Sequence, residues 1–446
     1  SVPEINNLVL QFSFVGMITK EVKVSNNKPL NVELEEDVQS MEEVIVTGYF
    51  TKSKSSYTGS AVVVKAEELK RISPTNLFKA LSAYEPSFQI VENKEVGADP
   101  NAVPEILIRG KSSFEGKSNQ PLFIMDGYEI SIEQVFDTDI ERIKQVTILK
   151  DASATAIYGS RAANGVVVIE TKMPEQGKLS VSYSFNATIE APDLTDYDLL
   201  NASEKLQFEE LAGVYKDSEG NVANQMKLDK LYEQRHKEVE RGVNTYWLSQ
   251  PLQTSFRHTH SLSLGGGNER SRYGVNLNYG ANPGVMKGST RDRFGISFTW
   301  TYNMASKFRI GNVLSVNQIK SEKTPYGEFS TYTKLNPYER AKDEKGRWIY
   351  LLSNGNPNPL VDAHLNSYDK TESTSYTNNF DIEWYIVEGV RLTGRFSYSF
   401  GNNDADRFIS PKDSRYLQKE NNEKGFYSST SGRTNSMDGN LVLNFY

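Results

Sequence analysis

Apolar and polar positions alternate with a period of two through much of the chain beyond residue 177. Residues 179–189 set Leu179, Val181, Tyr183, Phe185, Ala187 and Ile189 on one face, against Ser, Asn and Thr on the other. The pattern returns at Tyr273, Val275, Leu277 and Tyr279, at Phe294, Ile296, Phe298, Trp300 and Tyr302, and at Phe380, Ile382, Trp384 and Ile386. Leu392, Phe396, Tyr398 and Phe400 form another run, with Arg391, Thr393 and Arg395 between them. Weaker runs lie at 255–265, 307–319 and 438–446. Together they predict eight strands, most of about nine or more residues, against the ~5–6 usual in globular proteins.

The links between these strands sort by parity. Those after the second, fourth and sixth are short, at 266–269, 303–306 and 387–389. Those after the first, third, fifth and seventh are longer, with 190–254, 320–370 and 403–430 very long. Short turns on one side and long loops on the other mark a transmembrane barrel of the outer-membrane kind. On that reading Tyr183, Phe185, Phe294, Ile296, Phe298, Phe396 and Tyr398 face lipid, and Arg391, Thr393 and Arg395 face the lumen. A soluble, secreted glycan-binding β-protein would alternate too, but its links have no reason to sort in this way. The first long link holds two helix-like stretches, 202–211 after a capping Asn201 and 225–240, expected to be solvated. Loop aromatics such as Tyr326, Tyr332, Tyr338, Trp348 and Tyr350 fit sugar stacking and loop packing equally well.

Before residue 177 the character changes. Of the 49 aromatic residues, 13 lie in 1–177 and 36 in 178–446. Residues 1–35 alternate like the closing strands of a small β-domain, and 36–58 combine an acidic stretch, the apolar run Val44-Ile45-Val46-Thr47-Gly48 and a polar tail. Residues 59–176 read as a mixed α/β unit. Its expected strands are 61–64, 87–91, 106–108, 122–125, 146–149 and 166–169. Its expected helices are one with Pro74 near the start and Leu77, Phe78 and Leu81 on one face, and a short Ala-rich one over 151–159 closed by Gly159.

Composition narrows the field. No run approaches the ~18 apolar residues of a spanning helix. The chain has no cysteine, which removes disulfide scaffolds and thiolate metal sites. A net charge of -7 over 446 residues argues against a dedicated nucleic-acid binder. His258 and His260 share a strand face with Phe256, Leu262 and Leu264, which places them at a membrane interface better than in a metal site. The glycines of 159–165 follow a helix and lack a Gly-Lys-Ser/Thr ending, so they form a turn and not a phosphate loop. No catalytic constellation is discernible, and no cofactor or metal is expected.

Four motifs then stand in order: Glu42-Glu43-Val44-Ile45-Val46-Thr47-Gly48-Tyr49, Ile108-Arg109-Gly110, residues 121–127 ending in Asp126-Gly127, and the run 149–166 with Asp151, Tyr158, Gly159, Arg161, Asn164 and Gly165. They resemble the box and plug of TonB-dependent outer-membrane transporters, in the form of the SusC/RagA-like branch. Phe14-Val15-Gly16 resembles the close of the carboxypeptidase-regulatory-like domain that precedes the box there, with Met17 where that family usually has Tyr.

The resemblance implies a division into 1–35 (the end of that domain), 36–58 (box and linker), 59–176 (plug) and 177–446 (barrel). The implied fold class is mainly β: an incomplete transmembrane antiparallel barrel of about 8 of 22 strands, an α/β plug before it, and the tail of a small β-sandwich. The chain is thus expected to be part of a longer protein in the outer membrane of a Gram-negative, Bacteroidota-like cell. It implies that Glu43, Val44, Ile45, Val46 and Thr47 bind TonB, driven by ExbB and ExbD, and that Arg109, Gly110, Asp126, Gly127, Asp151, Tyr158, Gly159, Arg161, Asn164 and Gly165 carry the plug motif. It further implies import of an oligosaccharide or peptide with a SusD-like surface lipoprotein; a receptor signalling to a periplasmic regulator is the other reading. Residues 42–48 are expected to be loosely attached alone and to form a strand against TonB. Arg109, Arg142 and Arg161 are expected to make partly hydrated polar contacts to acidic or carbonyl groups in the plug or on the lumen wall, with Asp126, Asp139, Glu141 and Asp151 as candidate partners.

Overall fold

The structure, a computed structural model, describes residues 8–12, 20–24, 32, 44–46, 51–53, 60–91, 99–108, 110, 119–150, 156–304 and 307–445. Near the N-terminus, β1 (Leu8–Phe12) and β2 (Lys20–Val24) form an antiparallel pair. The run expected to wait for a partner is already paired: β3 (Val44–Val46) lies antiparallel to β4 (Thr51–Ser53). A β-branched strand with open N–H and C=O groups takes partners from the next segment when that segment can turn back.

The α/β unit is built on a five-stranded sheet in the order β5 (Ala61–Lys65), β10 (Ile143–Leu149), β11 (Val166–Thr171), β8 (Leu122–Met125), β9 (Tyr128–Ile130). Only β11 and β8 run parallel. A separate hairpin joins β6 (Phe88–Val91) to β7 (Glu105–Ile108). Three helices cover one face: α1 (Ala66–Ile72), α2 (Leu77–Tyr84) and α3 (Ile132–Phe136). Their apolar sides meet Val64, Val146, Ile148, Val167 and Ile169 in one core, where Phe78 packs against Phe88, Phe123 and Phe136 at centroid distances of 6.0–6.2 Å. The cap of α2 is Asn76, whose Oδ1 accepts from Lys79 N at 3.0 Å, so Pro74 stands before the cap and not in the first turn. The opposite face packs Leu122, Ile124, Leu149, Val166 and Val168 against Tyr158 and Ala162. Of the expected Ala-rich helix, 151–155 lie outside the described residues; over Ala156–Ala162 the chain forms 3-10 turns, with Gly159 at φ +66° inside them and not at their end.

The remaining eight strands form one antiparallel sheet in chain order: β12 (Gly177–Glu190), β13 (Ser255–Gly267), β14 (Ser271–Ala281), β15 (Thr290–Met304), β16 (Phe308–Glu322), β17 (Tyr368–Val387), β18 (Val390–Ile409) and β19 (Phe426–Phe445). Parity holds as read: Tyr183, Phe185, Phe294, Ile296, Phe298, Phe396 and Tyr398 all point outward and are exposed. His258 and His260 share that outward face, with the Tyr183 hydroxyl 2.7 Å from His260 Nδ1. One register row runs Phe185, His260, Tyr279, Phe294, Gln318, Thr374, Asn402, Arg433. It leaves the apolar band on the way, because the band slips by about one residue per strand; at ~3.3 Å per residue and ~4.8 Å between strands the strands tilt by roughly 35–40°. That is the tilt of an outer-membrane barrel.

Three strands are longer than the alternation indicated: β17, β18 and β19 have 20 residues each. Their added ends, such as Asp369–Ser375 and Asn402–Arg407, are polar on both faces, so no period-two signal marks them. The loops on that side are 191–254, 282–289, 323–367 and 410–425. The first carries α4 (Ala202–Leu211) and α5 (Val222–Glu240), and the third carries α6 (Phe329–Thr333) and α7 (Pro359–Ala363). Trp247, Leu248, Met286, Phe329, Tyr332, Leu352 and Leu360 of these loops form a third core, while α5 is largely solvated, with Arg235 buried, and α4 buries Ala202, Leu206 and Glu209. Tyr332 and Tyr338 are fully buried and thus pack the loops, while Tyr350 stays half exposed.

Candidate functional site where the plug meets its wall

The Asp126-Gly127 dipeptide closes the β8–β9 hairpin with φ of +52° and +88°. Two consecutive positive φ values are what a two-residue hairpin of this twist demands, and Asp-Gly supplies them at least cost. The Asp126 carboxylate then ties the turn to β11, accepting from Thr171 N at 2.9 Å and Thr171 Oγ1 at 2.7 Å. Burial pushes the Asp126 carboxyl above its ordinary pKa even against those bonds. A Cβ on Gly127 would lie 2.6 Å from the guanidinium of Arg395, so this glycine lets the wall's arginine close over the turn. Beside it the Tyr128 hydroxyl donates to the Phe380 carbonyl of β17 at 2.9 Å.

The tightest contact across the interface comes from the wall. Arg291 of β15 donates through Nε and Nη2 to both oxygens of Asp137, at 2.9 and 2.6 Å, and lies over the Phe136 ring. Arg293 donates to the Phe136 carbonyl at 3.1 Å. Asp139 and Glu141 also reach the wall, through Ser261 Oγ and Ser184 Oγ. Glu141 is bonded to Lys70 as well; burial raises its carboxyl, but the bond and charge of Lys70, with Lys172 and Ser184, together hold it below the ordinary range. Asn101 Nδ2 donates to the Glu322 carbonyl at 3.0 Å.

Arg161 pairs with Glu129 inside the plug, and the half-buried Arg142 lies near Asp126 and Asp139, so both meet acids of the plug, as the expectation allowed. The cations that grip across the interface are Arg291, Arg293 and Arg395, which sit at inward positions of β15 and β18. The alternation marks those positions as inward, but nothing local says that a plug residue waits opposite. The other motif residues serve the plug's own packing. Tyr158 is buried in the second core, and Asn164 lies in the turn before β11. A Cβ on Gly165 would meet Ile108 and the Leu149 carbonyl at 3.2 Å. Gly110 and Gly159 hold positive φ with open space beside them. Glu43, Thr47, Arg109 and Asp151 lie outside the described residues, while Val44, Ile45 and Val46 form β3. Among the described residues no group of three or more His, Asp or Glu is placed to hold a metal ion.

A family model described as the TonB-dependent receptor plug domain matches residues 53–166. The TonB-dependent receptor SusC of Bacteroides thetaiotaomicron is 30% identical over 448 residues, covering 89% of this chain and 42% of that protein. The TonB-dependent receptor P3 of Formosa agariphila is 28% identical over 418 residues, covering 90% of this chain and 38% of its own length. Among solved structures, the RagAB peptide importer in its open-open state superposes with a TM-score of 0.70 at 21% identity, over 90% of this chain and 47% of that one. That likeness speaks for the fold. The chain spans less than half the length of each of these relatives. A matched plug seated against eight tilted strands, with sequence likeness across both, places the chain among the SusC/RagA-like TonB-dependent receptors of the bacterial outer membrane.

Proposed function

We propose that the protein imports a large nutrient, an oligosaccharide or peptide, across the outer membrane, energised by TonB with ExbB and ExbD and working with a SusD-like surface lipoprotein. The observation that carries this reading is a plug held by side-chain contacts against the inner face of a wall whose outer face is apolar. Such a plug closes the passage at rest, and the outer membrane offers no nucleotide to move it, so work must arrive through the chain that precedes the plug. Residues 43–47 suit that role. Among the described residues β3 pairs only with β4, so its other edge is available to a strand from TonB. We assign the protein no catalytic step; the relatives it matches are receptors.

The test is Val46→Pro in the full-length protein. Proline removes a backbone donor and stiffens the strand. Energised uptake should fall to background while ligand still binds at the surface. Uptake at the wild-type rate would overturn the assignment of the box.

A further inference from the structure

On α4 the positions Ala202, Leu206 and Glu209 share one buried face at helical spacing. A carboxylate thus occupies a place in an apolar stripe, and Glu209 is only 7% exposed. It is fully engaged. The Tyr215 hydroxyl donates to it at 2.6 Å, the Tyr338 hydroxyl lies 2.9 and 3.0 Å from its two oxygens, and Lys205 stands 3.3 Å away. Arg235 of α5 reaches it at 3.4 Å and is held between the Tyr215 and Tyr338 rings.

The network does not stop there. Arg235 donates to Ser353 Oγ at 3.2 Å, and Ser353 N donates to the buried Glu339 at 2.9 Å. Burial pushes the Tyr215 phenol up to about 12, and it pushes Tyr338 up as well, so both remain donors. These residues come from two loops, 191–254 and 323–367, which are far apart in the chain and joined to different strands. Backbone bonds follow the same seam, with Thr245 N donating to the Pro337 carbonyl at 2.7 Å and Trp247 Nε1 to that of Asn336 at 2.9 Å.

We propose that Glu209 is a positioning residue that pins these two loops into one rigid body, so that the surface they build outside the membrane is presented preformed. Parting the loops would take the Tyr338 hydroxyl from a buried carboxylate and Ser353 from Arg235, leaving buried polar groups short of partners. The apolar third core excludes water from the same seam, which strengthens each bond. The loops therefore open together or not at all. This inference rests on loop geometry alone and stands apart from the transport reading.

The experiment uses the full-length protein, with hydrogen exchange followed over 225–240 and 335–353 and spin labels at Lys227→Cys and Lys345→Cys, both exposed sites. The wild type should give a narrow inter-label distance distribution. Glu209→Ala should broaden it and speed exchange in both segments by roughly tenfold or more, the loss expected for one charged hydrogen bond. Exchange in β10 of the plug should not change. Tyr338→Phe, which removes one donor and keeps the ring, should raise exchange in both segments by less. A narrow distribution in Glu209→Ala, or faster exchange in one segment only, would overturn the proposal. If Glu209→Ala does not assemble, Tyr338→Phe decides by the same criterion: both segments faster supports the pin, one alone overturns it.

Discussion

Asp126 carries two demands that pull against each other: its carboxylate accepts two bonds from Thr171, yet it is half-buried, where charge is costly. Burial dominates and raises its pKa above the ordinary 3.8. A carboxyl with a raised folded pKa binds more protons folded than unfolded, so the plug loses stability as pH rises from about 4 towards that raised value. Asn at this position keeps both the accepting oxygen and the preferred Asn-Gly turn. Asp126→Asn should therefore flatten the pH dependence and gain most over wild type at pH 7. Denaturant midpoints for the plug at pH 4, 5.5 and 7 provide the comparison, and equal slopes in both proteins would dismiss the idea. The same dipeptide shows what was readable at this scale. Asp-Gly is a strong hairpin signal, so β9 was within reach of the sequence, whereas the bond to Thr171, 45 residues on, was not. Asp137 looked like any surface acid. Only the fold sets it against Arg291, where losing one partner of such a pair typically costs about 3–5 kcal/mol.

At the scale of the element, alternation made the wall legible because lipid outside and a polar lumen inside impose opposite chemistry on successive residues. It failed where that contrast ends. The polar outer ends of β17, β18 and β19 rise beyond the apolar band, and strand formation there is enforced by ladder bonds to neighbours already in register. Helix α1 and the short α3 were missed for a related reason: each turns only one or two buried residues to the core, too few to set a period. Thr393 points inward, as its parity requires, but is only 7% exposed, so a charge there is not innocuous. Ser436, inward on β19 and exposed, is the better control. Phe298→Lys, central in the outward run of β15, should cost up to ~2–4 kcal/mol, while Ser436→Lys should change stability little. Unfolding free energies in lipid vesicles test this. Equal costs at the two sites would mean that the outward face does not meet hydrocarbon.

For the molecule as a whole, the question is how a plug can be both sealed and movable. Asp126, Gly127, Tyr158 and Gly165 of the plug motif were legible because they pack its cores or shape its turns, which ties them to fixed places in the chain. The interface was not legible, because most of its contacts join residues more than a hundred positions apart. It proves to be uneven: Arg291 and Asp137 make a buried bidentate pair, while the Ser261–Asp139 and Ser184–Glu141 contacts are single hydrogen bonds. A seal of few strong and several weak polar contacts can be released stepwise, whereas a dry apolar face of the same extent would have to part all at once. On the proposed import mechanism, release is obligatory. Asp139→Cys with Ser261→Cys places a thiol on each side at a point where the native side chains already touch. The 446 residues contain no other cysteine to compete. A disulfide there would hold the plug covalently at Asp139, the N-cap of a 3-10 turn (Ile140–Arg142) that leads into β10, the second strand of its sheet. The oxidised full-length protein should bind ligand at the surface and import none, and reduction should restore import. Import at the normal rate with the bond formed would mean that this part of the plug stays on the wall during transport. The passage would then have to open at another part of the plug.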